Sequence, residues 1–232
     1  MTGSSVDASG QALRLAEAHP LQLRATAGVH PHHAGECDRH TISALRALAA
    51  RPCVVALGEC GLDFNRNYSP HPDQERWFVA QLELACALGK PLFLHSRDAH
   101  PRFVEILRAH RDGLPRAVAH CFTGARDELR SYLDMDLYIG ITGWICDERR
   151  GLHLRELVRE IPLDRLMLET DAPYLTPRDL RPQPKARRNE PATLPHILQA
   201  VAQARGEHAE ALGAATAQNA RRFFNLERET SA

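Results

Sequence analysis

The chain has 232 residues, of which 44% are hydrophobic, and this length and composition suit one large globular domain. Its 29 Lys and Arg residues balance its 29 Asp and Glu residues, so bulk charge neither supports nor excludes a nucleic-acid partner. None of its six cysteines forms a Cys-x-x-Cys pair, which argues against a zinc site of that type. With no signal peptide and no apolar run of membrane length, we expect reduced thiols and a cytoplasmic protein that makes no contact with membranes.

Short apolar runs alternate with amphipathic helical patterns along the chain. Residues 1–10 and 172–191 are predicted to be loops because they are small and polar, or rich in Pro and Arg, respectively. The predicted strands cover residues 23–27, 54–58, 91–95, 117–120, 137–141 and 166–168. The predicted helices cover residues 11–18, 41–50, 74–88, a stretch after 95, a stretch ending near 133, and residues 152–159, 194–204 and 207–224.

This alternation indicates a parallel sheet covered by helices. Polar residues at many strand ends favour a TIM (β/α) barrel, whose site lies at the carboxyl ends of its strands. An open, doubly wound sheet is the alternative, but no Gly-rich phosphate loop follows the first strand. Because only about six strands are visible, we expect a barrel that lacks its first strands, with exposed sheet edges as a stability liability.

Four of the predicted strands deliver an ionisable residue at or just after their carboxyl ends. These residues are Glu59, His95, His120 and Asp171. Imidazoles and carboxylates together suit a divalent ion such as Mg²⁺, Mn²⁺ or Zn²⁺, and Asp171 could act as a general base or orient a water. Singly, each residue could instead be a hydrogen-bonded structural residue or a helix cap. Their repetition at strand ends favours the metal site.

Further polar residues near these positions have two interpretations each. His30 and His32 could contact substrate or brace their loop, and Asp63 could orient a ligand or cap a turn. Arg97 could bind a phosphate or pair with Asp98 or with Glu105.

The loop after Asp171 contains the one basic cluster of the sequence. Its members are Arg178, Arg181, Lys185, Arg187 and Arg188. Near a metal site such a cluster would suit an anionic substrate, although a solvated loop is equally consistent with the pattern. Tyr174 and Trp144 could stack on a nucleobase, with packing the better interpretation for Trp144.

Several motifs taken together resemble the TatD family of metal-dependent deoxyribonucleases. They are Gly-Val-His-Pro-His at 28–32, Gly-Glu-Cys-Gly-Leu-Asp-Phe at 58–64, His-Ser-Arg-Asp-Ala at 95–99, His-Cys-Phe-Thr-Gly at 120–124, Tyr-Ile-Gly-Ile-Thr-Gly-Trp at 138–144, Glu-Thr-Asp-Ala-Pro-Tyr at 169–174 and Arg-Asn-Glu-Pro at 188–191. The resemblance covers nearly the whole chain.

The resemblance implies one TIM-barrel hydrolase domain over residues 1–232. It implies a divalent metal, typically Mg²⁺, and 3′–5′ exonucleolytic cleavage of single-stranded DNA, with RNA as a further substrate and a role in DNA repair. By motif, Glu59, His95 and His120 match metal ligands, and Asp171 matches a ligand or the catalytic aspartate. Glu59 and Asp171 are the expected catalytic residues, with His30, His32, Arg97 and Arg188 at the substrate. We expect a monomer.

One feature of the family pattern is absent at the start of the chain. Many members open with a strand that carries His-x-His and supplies two further ligands, and no such motif is present here. Two other functions therefore remain open. The chain could cleave an amide or ester with the same ligands, or it could be an inactive truncated remnant that acts by binding.

Overall fold

The computed structural model describes residues 1–185 and 188–226, where helices and parallel strands alternate as the sequence predicts. The α-helices are α1 (Val6–Ala18), α2 (Thr41–Ala49), α3 (His71–Leu88), α4 (His100–Ala109), α5 (Arg126–Asp134), α6 (Leu152–Leu157), α7 (Leu194–Arg205) and α8 (Ala209–Phe223). The strands are β1 (Ala25–Ala27), β2 (Val54–Asp63), β3 (Leu92–Arg97), β4 (Ala117–Ala119), β5 (Tyr138–Ile141) and β6 (Leu166–Leu168). Two compact units are present: an N-terminal unit, Met1–Ala119, and a C-terminal unit that starts at His120.

The N-terminal unit contains the parallel sheet β1-β2-β3-β4. Ala27 pairs with Leu57, and Leu94 pairs with Ala119, so each strand lies beside its neighbour in sequence. Its strands are buried on both faces because α2, α3 and α4 contribute apolar side chains such as Phe78 to the core.

Strand β2 is longer than the sequence pattern predicted. It continues past Glu59 to Asp63, and its register with β3 shifts between Gly58 and Cys60. Gly61 lies at φ +145°, and a Cβ atom there would be 1.9 Å from the carbonyl oxygen of His95. The backbones of β2 and β3 can therefore approach each other only with glycine at this position. Glu59, predicted to follow its strand, thus lies within β2, and His95, predicted as the last residue of its strand, lies two residues before the end of β3.

Helix α1 begins earlier than predicted, at Val6 rather than residue 11. The Ser5 hydroxyl accepts a hydrogen bond from the Ala8 amide at 3.1 Å and caps the helix. The prediction was wrong because the small residues of this segment look like a loop, whereas Ser5 supplies the cap and the buried Ser9, Ala12 and Leu13 supply the packing.

The C-terminal unit contains the parallel pair β5-β6, in which Gly140 lies opposite Met167. Its core includes Phe223 of α8 against Tyr138, with ring centroids 5.2 Å apart. Among the described residues between β6 and Pro191 there is no helix or strand, as predicted for this loop.

Candidate metal centre

A first group of polar side chains lies after β1 and in the carboxyl-terminal halves of β2 and β3, in the N-terminal unit. His30, Glu59 and His95 each offer one ligand atom, and these atoms lie within 4.8 Å of one another. We call these three residues the N-terminal cluster. It brings together two residues that the sequence assigned to metal binding and one that it assigned to substrate.

His95 lies between two carboxylates. Its Nδ1 atom is 2.9 Å from Oε1 of Glu59, and its Nε2 atom is 3.3 Å from Oδ2 of Asp63. Burial lowers the pKa of His95, but the hydrogen bonds to Asp63 and Glu59 outweigh it and raise the pKa above its ordinary value. The two carboxylates therefore favour the protonated form of the ring.

Asp63 has both roles that the sequence left open for it, because it accepts hydrogen bonds from two histidine rings and, through Oδ1, from the Asn65 and Arg66 amides of the following turn. Its side chain is only 1% exposed and accepts hydrogen bonds from His95 and from His32, the latter at 2.8 Å. Burial raises the pKa of Asp63, but the bonds from His95, the Arg66 amide and His32 bring it well below its usual range. Asp63 is thus an anion that fixes two imidazoles.

His30 donates to Glu59 rather than offering it a lone pair. The His30 Nδ1 atom accepts a hydrogen bond from the His32 amide at 3.1 Å, so the ring hydrogen is on Nε2, which lies 3.3 Å from Oε1 of Glu59. Burial lowers the pKa of His30, which disfavours the charged form of the ring. This tautomer makes His30 a poor ligand through Nε2 and a good holder of the Glu59 carboxylate.

Two buried glutamines, which the sequence interpretation missed, support this cluster. Gln81 of α3 accepts from the Val29 amide at 2.7 Å and donates to the Val29 carbonyl at 3.1 Å, directly before His30. Gln74 accepts from the Asp63 amide at 2.8 Å. No local pattern identifies them except that a glutamine on the buried face of an amphipathic helix must have a partner.

The second group lies in the C-terminal unit, after β4 and β6. His120, Cys121 and Asp171 offer ligand atoms within 4.8 Å of one another, and the His120 Nε2 atom is 3.6 Å from Oδ1 of Asp171. We call these three residues the C-terminal cluster. Cys121 and Asp171 both have positive φ, 49° and 55°, conformations that are uncommon for residues other than glycine.

Glu169 fixes His120, and it is the main functional residue that the sequence interpretation did not assign. Its Oε2 atom lies 2.5 Å from Nδ1 of His120 and 3.2 Å from the Cys121 amide nitrogen. The His120 ring thus donates from Nδ1 and keeps its Nε2 lone pair on the side of Asp171. The sequence does contain a pattern that would have identified it, because Glu169 directly follows the apolar run of β6, as Glu59 and His120 directly follow theirs.

The donor atoms fit a divalent ion. A histidine that donates its second ring hydrogen to a carboxylate is the usual form of a metal-ligating histidine. The second oxygen of Glu169, Oε1, is buried without a hydrogen-bond partner. His120 and Cys121 therefore bind only one of the two oxygens of this carboxylate. The imidazole nitrogen of His120 and the carboxylate oxygen of Asp171 are compatible with Mg²⁺, Mn²⁺ and Zn²⁺, whereas the sulfur of Cys121 would suit Zn²⁺ among these.

Arg97 is exposed at the end of β3, and its guanidinium has no ion-pair partner among residues 1–185 and 188–226. The two carboxylates that the sequence offered as ion-pair partners of Arg97 bind other residues. Asp98 accepts a hydrogen bond from Asn65, and Glu105 pairs with Arg102. Since residues two apart on a strand point to the same side, Arg97 and His95 share one face of β3. Arg97 is therefore available to an anion.

Ion pairs with glutamates neutralise part of the positive charge of the basic cluster. Arg178 pairs with Glu148 at 3.0 Å, and Arg188 lies 3.4 Å from Glu190, whereas Lys185 is exposed. Arg187 lies outside the described residues.

Asn189 fixes the end of this loop. It is buried, and its side chain donates to the Thr170 carbonyl at 2.7 Å, while its backbone amide donates to the carbonyl of Pro173. Arg188 is thereby held next to the segment that contains Asp171.

Aromatic side chains flank both clusters. Tyr174 is 70% exposed three residues after Asp171, and Tyr68 is 67% exposed with its ring 4.8 Å from that of His32. Trp144 is half-buried, and the Arg150 guanidinium lies 4.7 Å from its ring. Tyr68 was not singled out from the sequence.

An alternating α/β fold with imidazole and carboxylate side chains at the ends of its parallel strands defines a hydrolase of the TIM-barrel class. A comparison with family models matches residues 1–225 to the family described as TatD related DNase. The chain belongs to this family, whose members depend on a metal.

The chain is similar to curated relatives from several bacteria. It is 59% identical over 226 residues to the 3′-5′ ssDNA/RNA exonuclease TatD of Pantoea vagans, and 57% identical to the protein of that name from Pantoea ananatis. Each match covers 97% of this chain and 87% of the relative.

The chain is also similar in fold to solved structures. YJJV, a TatD homolog from Escherichia coli K12, superposes with a TM-score of 0.87 at 28% identity, over 97% of this chain and 85% of that one. A TatD family hydrolase from Entamoeba histolytica has a TM-score of 0.84 at 22% identity, over 96% of this chain and 83% of that one, and shares the fold. The TIM-barrel class predicted from the sequence is confirmed. In the described part of the chain, no helix is both long and apolar enough to cross a membrane.

Proposed function

We propose that this chain is a Mg²⁺-dependent 3′–5′ exonuclease that hydrolyses phosphodiester bonds of single-stranded DNA and of RNA. Residues 1–232 would form one catalytic domain that acts as a monomer in the cytoplasm and contributes to DNA repair. The observation that carries the proposal is the Glu169–His120 pair, which presents the Nε2 lone pair of His120 on the side of Asp171. The names of the relatives support the substrate class and the direction of cleavage.

The metal ligands in this proposal are Glu59, His95, His120 and Asp171. When bound, a divalent ion supplies Lewis-acid polarisation of a phosphoryl oxygen and makes a coordinated water more acidic. His30 and Asp63 would hold Glu59 and His95 in place through the hydrogen bonds of the N-terminal cluster. Glu169 would fix the tautomer of His120.

Asp171 is proposed as the general base. Its side chain is 29% exposed, so water can reach it, and its position 3.6 Å from His120 keeps it beside a ligand. It would accept the proton of the attacking water as the new oxygen–phosphorus bond forms and the bond from phosphorus to the 3′ oxygen of the shortened strand breaks. That 3′ oxygen would take up a proton from solvent. Glu59, with its carboxylate already held by two histidines, would orient the water or the ion.

The substrate would be held by cations and aromatic rings. Arg97, on the His95 face of β3, would bind a phosphate next to the scissile bond, and Arg188 would bind another phosphate of the strand. His32, with Tyr68 at its ring edge, and the exposed Tyr174 would contact bases or sugars. Stacking of this kind is tolerant of sequence, in agreement with an exonuclease that removes any nucleotide.

End-labelled oligonucleotides test the proposal. Single-stranded DNA labelled at the 5′ end should give a ladder of shortened labelled products in Mg²⁺ and none in EDTA, and 3′ label should appear at once as mononucleotide. Asp171→Asn should lower the rate by ~10²-fold to 10⁴-fold, whereas the exposed control Asp127→Asn should not change it. Metal-dependent turnover of a neutral amide or ester, unaffected by reversing the charges of Lys185 and Arg188, would favour the amide-cleaving alternative.

A further inference from the structure

A third group of potential ligands lies in the C-terminal unit and shares no residue with the two clusters above. It consists of Cys146, Asp179 and His196, whose sulfur, carboxylate oxygen and ring nitrogen atoms lie within 4.8 Å of one another. Cys146 ends the 3-10 helix Gly143–Cys146, Asp179 belongs to the long loop after β6, and His196 is in the first turn of α7. Three separate segments of the chain therefore converge at this point.

The side chains of this group differ in their exposure to solvent. Cys146 is fully buried, whereas the side chains of His196 and Asp179 are 31% and 46% exposed. The His196 Nε2 atom lies 2.7 Å from Oδ1 of Asp179. The sulfur thus lies at the base, and the nitrogen and oxygen form a rim that water can reach.

The negative charge of Asp179 beside Cys146 favours a cation at this position. The positive charge of Arg155 acts in the opposite direction, and its effect on the thiol is smaller than that of Asp179. Burial raises the pKa of the Cys146 thiol to about 12, so without an ion the thiol keeps its hydrogen. An ion would bind as the S–H bond breaks, the metal–sulfur bond forms and the proton leaves to solvent, which makes its binding dependent on pH.

We propose that Cys146, Asp179 and His196 bind Zn²⁺, with water as the fourth ligand. One thiolate, one imidazole and one carboxylate are standard zinc ligands in a tetrahedral site, whereas Mg²⁺ and Ca²⁺ do not favour sulfur. The sequence argued against a site built from paired cysteines, and this one needs a single cysteine. The ion would tie the loop after β6 to α7, and so would stabilise the segment that carries Arg178, Arg181 and Lys185. The proposal does not depend on the nuclease activity.

Cobalt substitution is the most direct test, because Co²⁺ bound to a thiolate gives a near-ultraviolet charge-transfer band and tetrahedral visible bands. The full chain titrated with CoCl₂ should show these bands, and added ZnCl₂ should abolish them. Cys146→Ser should lose the charge-transfer band, whereas Cys86→Ser, a half-buried cysteine of α3, should keep it. Cys121→Ser should also keep it, which separates this site from the C-terminal cluster. Bands that are absent, or that disappear in Cys121→Ser, would overturn the proposal.

Two further variants leave the buried Cys146 unchanged. Asp179→Asn and His196→Gln change partly exposed side chains, so both should fold, as circular dichroism would verify. Each should bind one equivalent of Zn²⁺ fewer than the parent chain in equilibrium dialysis. In the parent, Zn²⁺ at 100 times its Kd should raise Tm by roughly 5 to 10 °C more than in either variant. Equal stoichiometry and equal shifts in all three proteins would refute the site.

Discussion

The Nδ1 atom of His120 lies 2.5 Å from the Oε2 atom of Glu169, which also accepts a hydrogen bond from the amide of Cys121. The other Glu169 oxygen is buried against Gly140. The carboxylate therefore cannot rotate away, and the imidazole that it holds has one orientation and one tautomer. This pair makes the C-terminal cluster a preorganised ligand set.

Replacing Glu169 tests that preorganisation. In Glu169→Gln the amide oxygen can still accept from His120, but the amide NH₂ group would occupy the buried position that has no acceptor. We expect the affinity for Mn²⁺ to fall by ~10-fold to 100-fold, the usual effect of losing an outer partner of a ligand. Isothermal titration calorimetry measures it, with the exposed Glu210→Gln as control. An unchanged affinity would mean that Glu169 has only a packing role.

Gly140 tests the same relationship from the opposite side. A Cβ atom at Gly140 would lie 2.2 Å from Oε1 of Glu169, so Gly140→Ala must displace the carboxylate. We expect a loss of ~1–3 kcal/mol in the free energy of unfolding and a loss of exonuclease activity. The matched control is Gly10→Ala in α1, where a Cβ atom meets nothing closer than 3.7 Å and should stabilise the helix by ~0.5–1 kcal/mol. Two alanine variants of equal stability and activity would contradict the close contact.

Gln81 tests how the N-terminal cluster is supported. Its amide satisfies both backbone groups of Val29 and is 2% exposed, so Gln81→Met would leave them buried without a partner. We expect a loss of ~2–3 kcal/mol in urea unfolding, and a lower exonuclease rate because Val29 precedes His30. The exposed Gln203→Met on α7 should change stability by less than ~0.5 kcal/mol. A similar small change in both variants would rule out this support.

Asp38 gives a pH-dependent contribution to stability at the start of α2. The His40 amide donates to its carboxylate at 2.9 Å, and this bond, with help from Thr41, lowers the pKa of Asp38 below its ordinary value. The folded state thus favours the anion, so the contribution is complete above the unfolded pKa of ~3.9 and is lost as the pH falls through the lower folded pKa. We expect a higher urea midpoint than in Asp38→Asn at neutral pH, and a gap that narrows on acidification. A gap that is constant with pH would contradict this origin.

The elements that the sequence predicted well are those with complete local signals. Strand β6 covers the predicted residues, and α3 ends at Gly89, whose φ of +62° allows the left-handed conformation that stops a helix. The start of α1 and the end of β2 were misjudged because they depend on a cap at Ser5 and on a register shift after Gly58.

The same distinction applies to the candidate site. Glu59, His95, His120 and Asp171 were predicted because each occurs at the end of an apolar run or, for Asp171, three residues after it. Gln81 and Asn189 were missed because their partners, Val29 and Thr170, are distant in sequence, so only the folded chain reveals which buried backbone groups they satisfy. The choice of the His30 tautomer likewise depends on the His32 amide, a contact that no residue pattern encodes.

The central claim is that the N-terminal and C-terminal clusters are needed for one metal-dependent reaction. The most direct test compares His95→Gln, His120→Gln and the double variant in the rate at which 5′-labelled single-stranded DNA is shortened in Mg²⁺, with the exposed His19→Gln and His208→Gln as controls. Ligands of one reaction act as a unit, so the activity of each single variant should be lower by more than ~100-fold. The double variant should be about as active as the less active of the two single variants. Losses that multiply in the double variant, or a single variant that retains full activity, would contradict the claim.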